Sequence, residues 1–213
     1  MQNAVVSHED WLAARRDLLQ KEKELTHLRD SIASERLALP WERIEKDYVF
    51  DTLDGPRSLA GLFEGRSQLV VQHFMFAPGW KEGCPSCSFM ADHTDGMNQH
   101  LANHDVTMIA VSRAPLADIE RYRKRMGWTF RWVSSFGSDF NYDFRVSFTP
   151  EEVASGHIDY NFGGWNMTGE EWPGVSAFIK NEAGKVFRTY STYGRGVEVM
   201  MGTYAMLDLT PKG

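Results

Sequence analysis

Leu69-Val70-Val71-Gln72-His73-Phe74-Met75-Phe76, a Gly/Pro loop from Ala77 to Gly83, and then Cys84-Pro85-Ser86-Cys87 form the stretch that decides the fold. The first eight residues show no polar alternation, so they read as a strand buried on both faces, the kind found in a parallel sheet. The loop hands the chain to a helical stretch that runs to about Asn103. Cys84 is then expected at a helix N-terminus, where unpaired N–H groups and the helix dipole favour a thiolate. Cys87 falls one turn further in, on the same face. This placement makes Cys84 the candidate nucleophile and Cys87 the resolving thiol that attacks back to release product. Pro85 stiffens the first turn without giving up a needed N–H. Lys81 favours the thiolate and Glu82 opposes it.

The chain has only these two cysteines. A loop this small stabilises a fold little, so a structural staple is a poor reading. A zinc site would need two more ligands from His73, His93, His100, His104 or a carboxylate, and no second pair has ligand-like spacing. The expectation is therefore redox chemistry with no metal and no cofactor.

Working outward, Val106 to Val111 reads as a second buried strand. Pro115 suits the first turn of a helix reaching Met126, and a third strand lies near Thr129–Val133. Upstream, Tyr48-Val49-Phe50 is a short strand, Asp54-Gly55 a tight turn, and Ser58 to Phe63 a second short element. Downstream, the polar and aromatic segment 134–171 carries no assignable pattern. A hairpin follows, Val175–Ile179 and Lys185–Tyr190 around a turn at Asn181–Gly184, and Val197–Leu207 is helical in pattern. Strand–helix–strand–helix–strand, then a hairpin and a helix, is an α/β layer architecture with a mixed sheet.

The N-terminal region differs in texture. Ser7 followed by Asp10 resembles a capping box, and Trp11, Leu18, Leu25, Ile32 and Leu39 recur every seventh residue between charges. The spacing predicts one long helix that ends before Pro40-Trp41. Residues 1–40 thus read as a helical extension and residues 41–213 as one domain, with an aromatic-rich insertion around 134–171. The helix is expected to lie across the domain surface. A homodimer through its stripe is the alternative, which Lys21 within the stripe weakens.

The net charge of −6 argues against nucleic acid, because phosphate binding needs a dense basic face. The run Arg121–Arg125 sits in a helical pattern with Ile119, Tyr122 and Met126 inward, which makes it a solvated face. No apolar stretch approaches the ~20 residues of a membrane span. Met1 to Val6 lacks the features of a secretory leader, so a reducing cytoplasm is the expected compartment. The expected partner is a protein or small-molecule disulfide or thiol.

The whole sequence also resembles a bacterial family of unknown function whose members are described as predicted dithiol–disulfide oxidoreductases with a thioredoxin-like fold. The resemblance is carried by Gly83-Cys84-Pro85-Ser86-Cys87-Ser88, Val111-Ser112-Arg113-Ala114-Pro115-Leu116, Met126-Gly127-Trp128, Trp132-Val133-Ser134-Ser135, Ser138 to Phe144 and Leu207 to Gly213. It implies a thioredoxin-like three-layer fold with a central mixed sheet. It also implies a cis-proline loop at Trp172-Pro173-Gly174 lying against the cysteines, with an ordinary trans turn as the alternative. Trp80, Pro85, Trp172 and Pro173 are accordingly the candidate substrate-positioning residues. Trp80, Trp128, Trp132 and Trp165 are weighed as a groove lining against core packing, which is the commoner fate of tryptophan.

The segment Tyr48–Phe76 is similar to the hairpin opening of peroxiredoxin-type domains, which makes a thiol peroxidase the alternative activity. The pattern departs there: Pro78 stands one residue too close to Cys84, and Lys81 occupies the hydroxyl position. A non-catalytic binding module, with Trp128–Trp165 as its recognition surface, is the third reading.

Overall fold

The computed structural model describes residues 3–165 and 168–212. Met1 and Gln2 of the leader reading, Asn166 and Met167 of the aromatic segment, the Trp165 side chain and Gly213 lie outside the described residues. The chain divides into two compact units, Met1–Pro40 and Trp41–Gly213.

The first unit is one helix, α1 (His8–Leu37). Ser7 caps it, its Oγ accepting from the Asp10 N–H at 3.1 Å and donating to the Asp10 carboxylate at 2.7 Å. Glu9 and Asp10 in the first turn and Arg36 in the last suit the helix dipole. No residue of α1 is buried, and Trp11, Leu18, Leu25 and Leu28 all present exposed apolar surface.

Among its described residues the second unit contains ten strands and five helices. In chain order they are β1 (Glu42–Arg43), β2 (Val49–Phe50), β3 (Arg57–Ser58), a 3-10 turn (Leu59–Phe63) and β4 (Gln68–His73). Next come α2 (Pro85–Asn103), β5 (Val106–Ser112), α3 (Leu116–Met126), β6 (Arg131–Ser134), α4 (Phe140–Asp143) and α5 (Pro150–Ala154). The chain continues with β7 (Ile158–Tyr160), β8 (Gly163–Trp165), β9 (Gly174–Lys180) and β10 (Val186–Tyr193). A second 3-10 turn (Gly194–Met200) and α6 (Gly202–Leu207) close it.

The main sheet has the order β1-β10-β9-β4-β5-β6. β4, β5 and β6 are parallel, β9 runs antiparallel to β4, and β10 antiparallel to β9. This central mixed sheet, with α2 following its middle strand and packing on β5, makes the fold thioredoxin-like. The β2–β3 hairpin stands before it.

Strand β4 positions the site. Leu69 and Val71 point into one core layer with Phe50, Phe63, Phe140 and Phe178. Val70 points the other way, toward Met90, Val175, Val197 and Met201. The strand ends at His73, earlier than the apolar run predicts, and Phe74 to Phe76 continue as a buried loop. The Met75 carbonyl accepts the Cys84 N–H at 3.1 Å, which turns the backbone out of the ladder and brings the cysteine back beside the strand end. The segment 134–171 contributes to this core: Phe140, Phe144, Phe148, Ile158 and Tyr160 are all buried. So are Trp128 and Trp132, which pack with Phe74, Phe76 and Tyr122 around Cys87.

Candidate active site

Cys84 is the N-cap of α2 and Pro85 its first helical residue. The cap side chain makes no bond of the usual Ser or Asp kind, so the first N–H groups of the helix are left facing the sulfur. Cys84 Sγ accepts from the Cys87 thiol, and the nearby backbone N–H groups of Cys87 and Ser86 and the Ser86 hydroxyl also favour its thiolate. Together they lower its pKa to about 6, with the Cys87 thiol the largest cause and partial burial opposing. Lys81 and Glu82 do not set the direction, and Glu82 is engaged by Arg125 at 2.7 Å.

Cys87 is 2% exposed and its pKa is pushed well above the ordinary range. The causes are the bond to Cys84, burial, and the charges of Cys84 and Glu171, against a backbone bond from Met75. Gln72, itself buried on β4, donates to the Cys87 carbonyl at 3.0 Å. Ser88 Oγ donates to the Cys84 carbonyl at 2.9 Å and lies 3.0 Å from the Tyr122 hydroxyl. The arrangement holds one activated, accessible sulfur and one protonated, buried sulfur in hydrogen-bonding contact.

The surroundings separate the four candidate positioning residues. Trp172 and Pro173 line a cleft of about 280 Å³ with Ser86 and Cys87. Trp80 lines a different cleft, of about 550 Å³, with Pro78, Arg113, Glu170 and Glu171. Pro85 sits in the helix itself.

The expected cis bond at Trp172-Pro173 is corrected: no peptide bond among the described residues is cis. The loop is pinned in an extended path instead. The Trp172 N–H reaches the Val146 carbonyl at 2.8 Å, Glu171 bridges to Ser147, and the Pro173 carbonyl accepts the Tyr160 hydroxyl at 2.6 Å. With its backbone groups satisfied this way, the segment keeps the trans isomer that is the default even for X–Pro.

Sequence reasoning missed Arg113 and Glu171. Arg113 Nε donates to Glu171 at 2.7 Å, and Ser147 Oγ donates to the same carboxylate at 2.9 Å. Burial raises the Glu171 pKa although Arg113 and Ser147 oppose it. Arg113 stands in a stretch that carries the family resemblance, but Glu171 lies in the unassigned segment 134–171, so nothing in the sequence pairs the two. The histidines form no ligand set: among the described residues, no three His, Cys, Asp or Glu side chains gather as for a metal.

A thioredoxin-like fold with a C-x-x-C at the head of the helix that follows the central strand defines the class. Within it, the chain belongs over residues 1–213 to the bacterial protein family of unknown function DUF899. Among solved structures it is similar to a PrxQ mutant from Xylella fastidiosa, with TM-score 0.48 and 13% identity over 79% of this chain and 96% of that one. It is also similar to peroxidoxin BcpB from Mycobacterium tuberculosis, with TM-score 0.43 and 13% identity over 78% and 96% of the two chains. A peroxiredoxin-like protein from Aquifex aeolicus gives TM-score 0.44 and 17% identity over 72% and 74%. No curated protein matches the chain. No helix among the described residues is long and apolar enough to cross a membrane.

Proposed function

We propose that the protein is a dithiol–disulfide oxidoreductase in which Cys84 attacks and Cys87 resolves. The observation that carries this reading is the opposite displacement of two touching thiols. Cys84 titrates near 6, so it is mostly thiolate at neutral pH, while Cys87 is held protonated. A nucleophile must be ionised to attack, and a resolving thiol must stay quiet until the first sulfur has been consumed. Once Cys84 is bound in a mixed disulfide its charge is gone. The bond and the repulsion that kept Cys87 protonated then vanish together, and its sulfur is released for the second attack.

Turnover of a model disulfide with dithiothreitol as reductant tests the assignment. Cys84→Ser is expected to abolish it. Cys87→Ser, reduced and then mixed with the disulfide after dithiothreitol has been removed, is expected to accumulate a mixed disulfide on Cys84, visible by mass. Equal activity in the two variants would reject the reading. Rapid conversion of Cys84 to a sulfenic acid by peroxide, with disulfides turned over poorly, would transfer it to the peroxidase alternative.

A further inference from the structure

The cleft beside Cys87 is built by segments far apart in the chain. Its floor is the first turns of α2, with Met90 below Ser86 and Cys87, and Trp172-Pro173 flanks it. Its far wall is the C-terminal segment, through Val197, Met201 and Tyr204. Two polar knots hold that wall in place. The Tyr160 hydroxyl donates to the Pro173 carbonyl and accepts the Gly194 N–H at 2.7 Å, so one oxygen ties the loop to the start of the wall. His93 on α2 ties its end. Nδ1 lies 2.7 Å from the Phe89 carbonyl and must donate there, which leaves Nε2 as acceptor for the Thr203 N–H at 3.2 Å and the Thr203 hydroxyl at 2.8 Å. The Tyr204 ring then stands edge-on to Phe89 with centroids 5.2 Å apart.

These knots engage the Tyr160 hydroxyl, and further polar groups of the lining are paired. Trp172 Nε1 donates away to the Gly169 carbonyl, and Arg195 and Glu198 neutralise each other through two contacts at 2.8 and 3.1 Å. Beside Ser86 and Cys87, what lines the cleft is two thioethers, a valine, aromatic side chains and a proline ring. At about 280 Å³, the space exceeds the ~150 Å³ of a dry cavity that holds benzene. It falls just under the ~300 Å³ where drug-sized ligands begin.

Resting on the dithiol reading above, we propose that this cleft receives a neutral apolar group, one aromatic ring or a branched alkyl chain, carried by a small organic disulfide. The protein would thereby select uncharged disulfides over those bearing carboxylates, which find no unpaired cation there and lose their hydration on entry. The chemistry balances within the chain. The Cys84 thiolate attacks one sulfur of R–S–S–R, the S–S bond breaks, and the departing thiolate takes a proton from water. Cys87 then loses its proton to solvent, its sulfur attacks Cys84 Sγ, and the second R–S⁻ leaves and is protonated. Two electrons pass from the dithiol to the substrate, and an external dithiol such as dithiothreitol restores the reduced pair.

The test is single turnover of the reduced protein with diphenyl disulfide and with its dicarboxylate analogue, each rate divided by that of the same disulfide with dithiothreitol. The normalised rate is expected to favour the neutral disulfide by about 10- to 100-fold, the range a well-fitted apolar pocket discriminates. Glu198→Gln leaves Arg195 unpaired, and Tyr204→Lys puts a cation on a side chain that is 47% exposed. In either variant the preference should shrink several-fold. Equal normalised rates in the wild type, or an unchanged ratio in both variants, would overturn the cleft assignment and leave the dithiol reading standing. Failure of both disulfides to react would instead overturn the dithiol reading, and this proposal with it.

Discussion

The Cys84 sulfur accepts a hydrogen bond from the Cys87 thiol, and that one bond moves the two pKa values in opposite directions. Alkylation of Cys84 by iodoacetamide should therefore rise with pH through an inflection near 6 and level off above it. In Cys87→Ala the largest cause of the lowering is absent, so the inflection should move up toward that of an ordinary thiol. An inflection that stays in place would assign the activation to the helix N–H groups alone. Peptide mapping after a limiting pulse should find the label on Cys84, and a label mainly on Cys87 would contradict the roles.

Gly83, next to the nucleophile, has no room for a side chain. A Cβ there would lie 2.6 Å from Cε1 of Phe74 and 3.1 Å from the Tyr122 ring. Both rings are buried in the cluster that contains Trp128 and Trp132, so neither can swing aside. Gly83→Ala is expected to cost about 1–3 kcal/mol in urea unfolding. It should also displace the Cys84 N–H from the Met75 carbonyl, slowing alkylation at pH 7. Unchanged stability would mean that the aromatic floor yields.

The Arg113–Glu171 pair is enclosed, with side chains 13% and 2% exposed. Removing one partner leaves the other charge buried and uncompensated. Arg113→Met should cost about 3–5 kcal/mol. Adding Glu171→Gln to it should restore part of that loss, since the orphaned charge disappears. A double variant no more stable than Arg113→Met would show that packing around Tyr142 and Ser147, rather than charge, holds this corner.

His73 is fully enclosed, 2.8 Å from Ser176 Oγ and packed against Phe140 and Phe144. Burial, aided by Arg188, lowers its pKa to about 3. As pH falls below the ordinary histidine value of ~6.5, the unfolded chain takes up a proton that the folded chain refuses. Stability should then decline down to about pH 3, by as much as ~1.4 kcal/mol per pH unit from this residue. His73→Gln, which retains a donor and does not titrate, should flatten that part of the curve. An equal slope in both proteins would place the acid sensitivity elsewhere.

The parts of this architecture that were readable in advance are those whose cause is local. The two-sided apolar run, the Pro85 helix start and the buried run from Val106 place β4, α2 and β5 within a few residues of their observed limits. Strand β1 was not readable: Glu42 and Arg43 have no apolar signature, and they form a strand only because Arg188 and Phe187 pair with them. The segment 134–171 was opaque for a related reason. Its elements are as short as β7 and β8, and Phe140, Phe148 and Tyr160 find their periodicity in the sheet they cover rather than along the chain. The wall of the cleft lies still further from any motif. Val197–Leu207 reads only as a helical pattern, and it is the return of the chain to α2 that brings Val197 and Met201 into one cleft with Cys87.

That return has a consequence for how the protein is made. β4 is complete as a sheet member only when β9 has paired along its second edge, with Gln68 opposite Ile179 and His73 opposite Gly174. The wall at Gly194–Met200 follows β10, so it leaves the ribosome long after α2 and both cysteines. A nascent chain therefore exposes both cysteines to surrounding thiols well before the wall beside Cys87 exists. The hairpin β9–β10, joined by a short turn, is the local structure that ends this interval, because its pairing both closes the sheet and brings the wall beside Cys87.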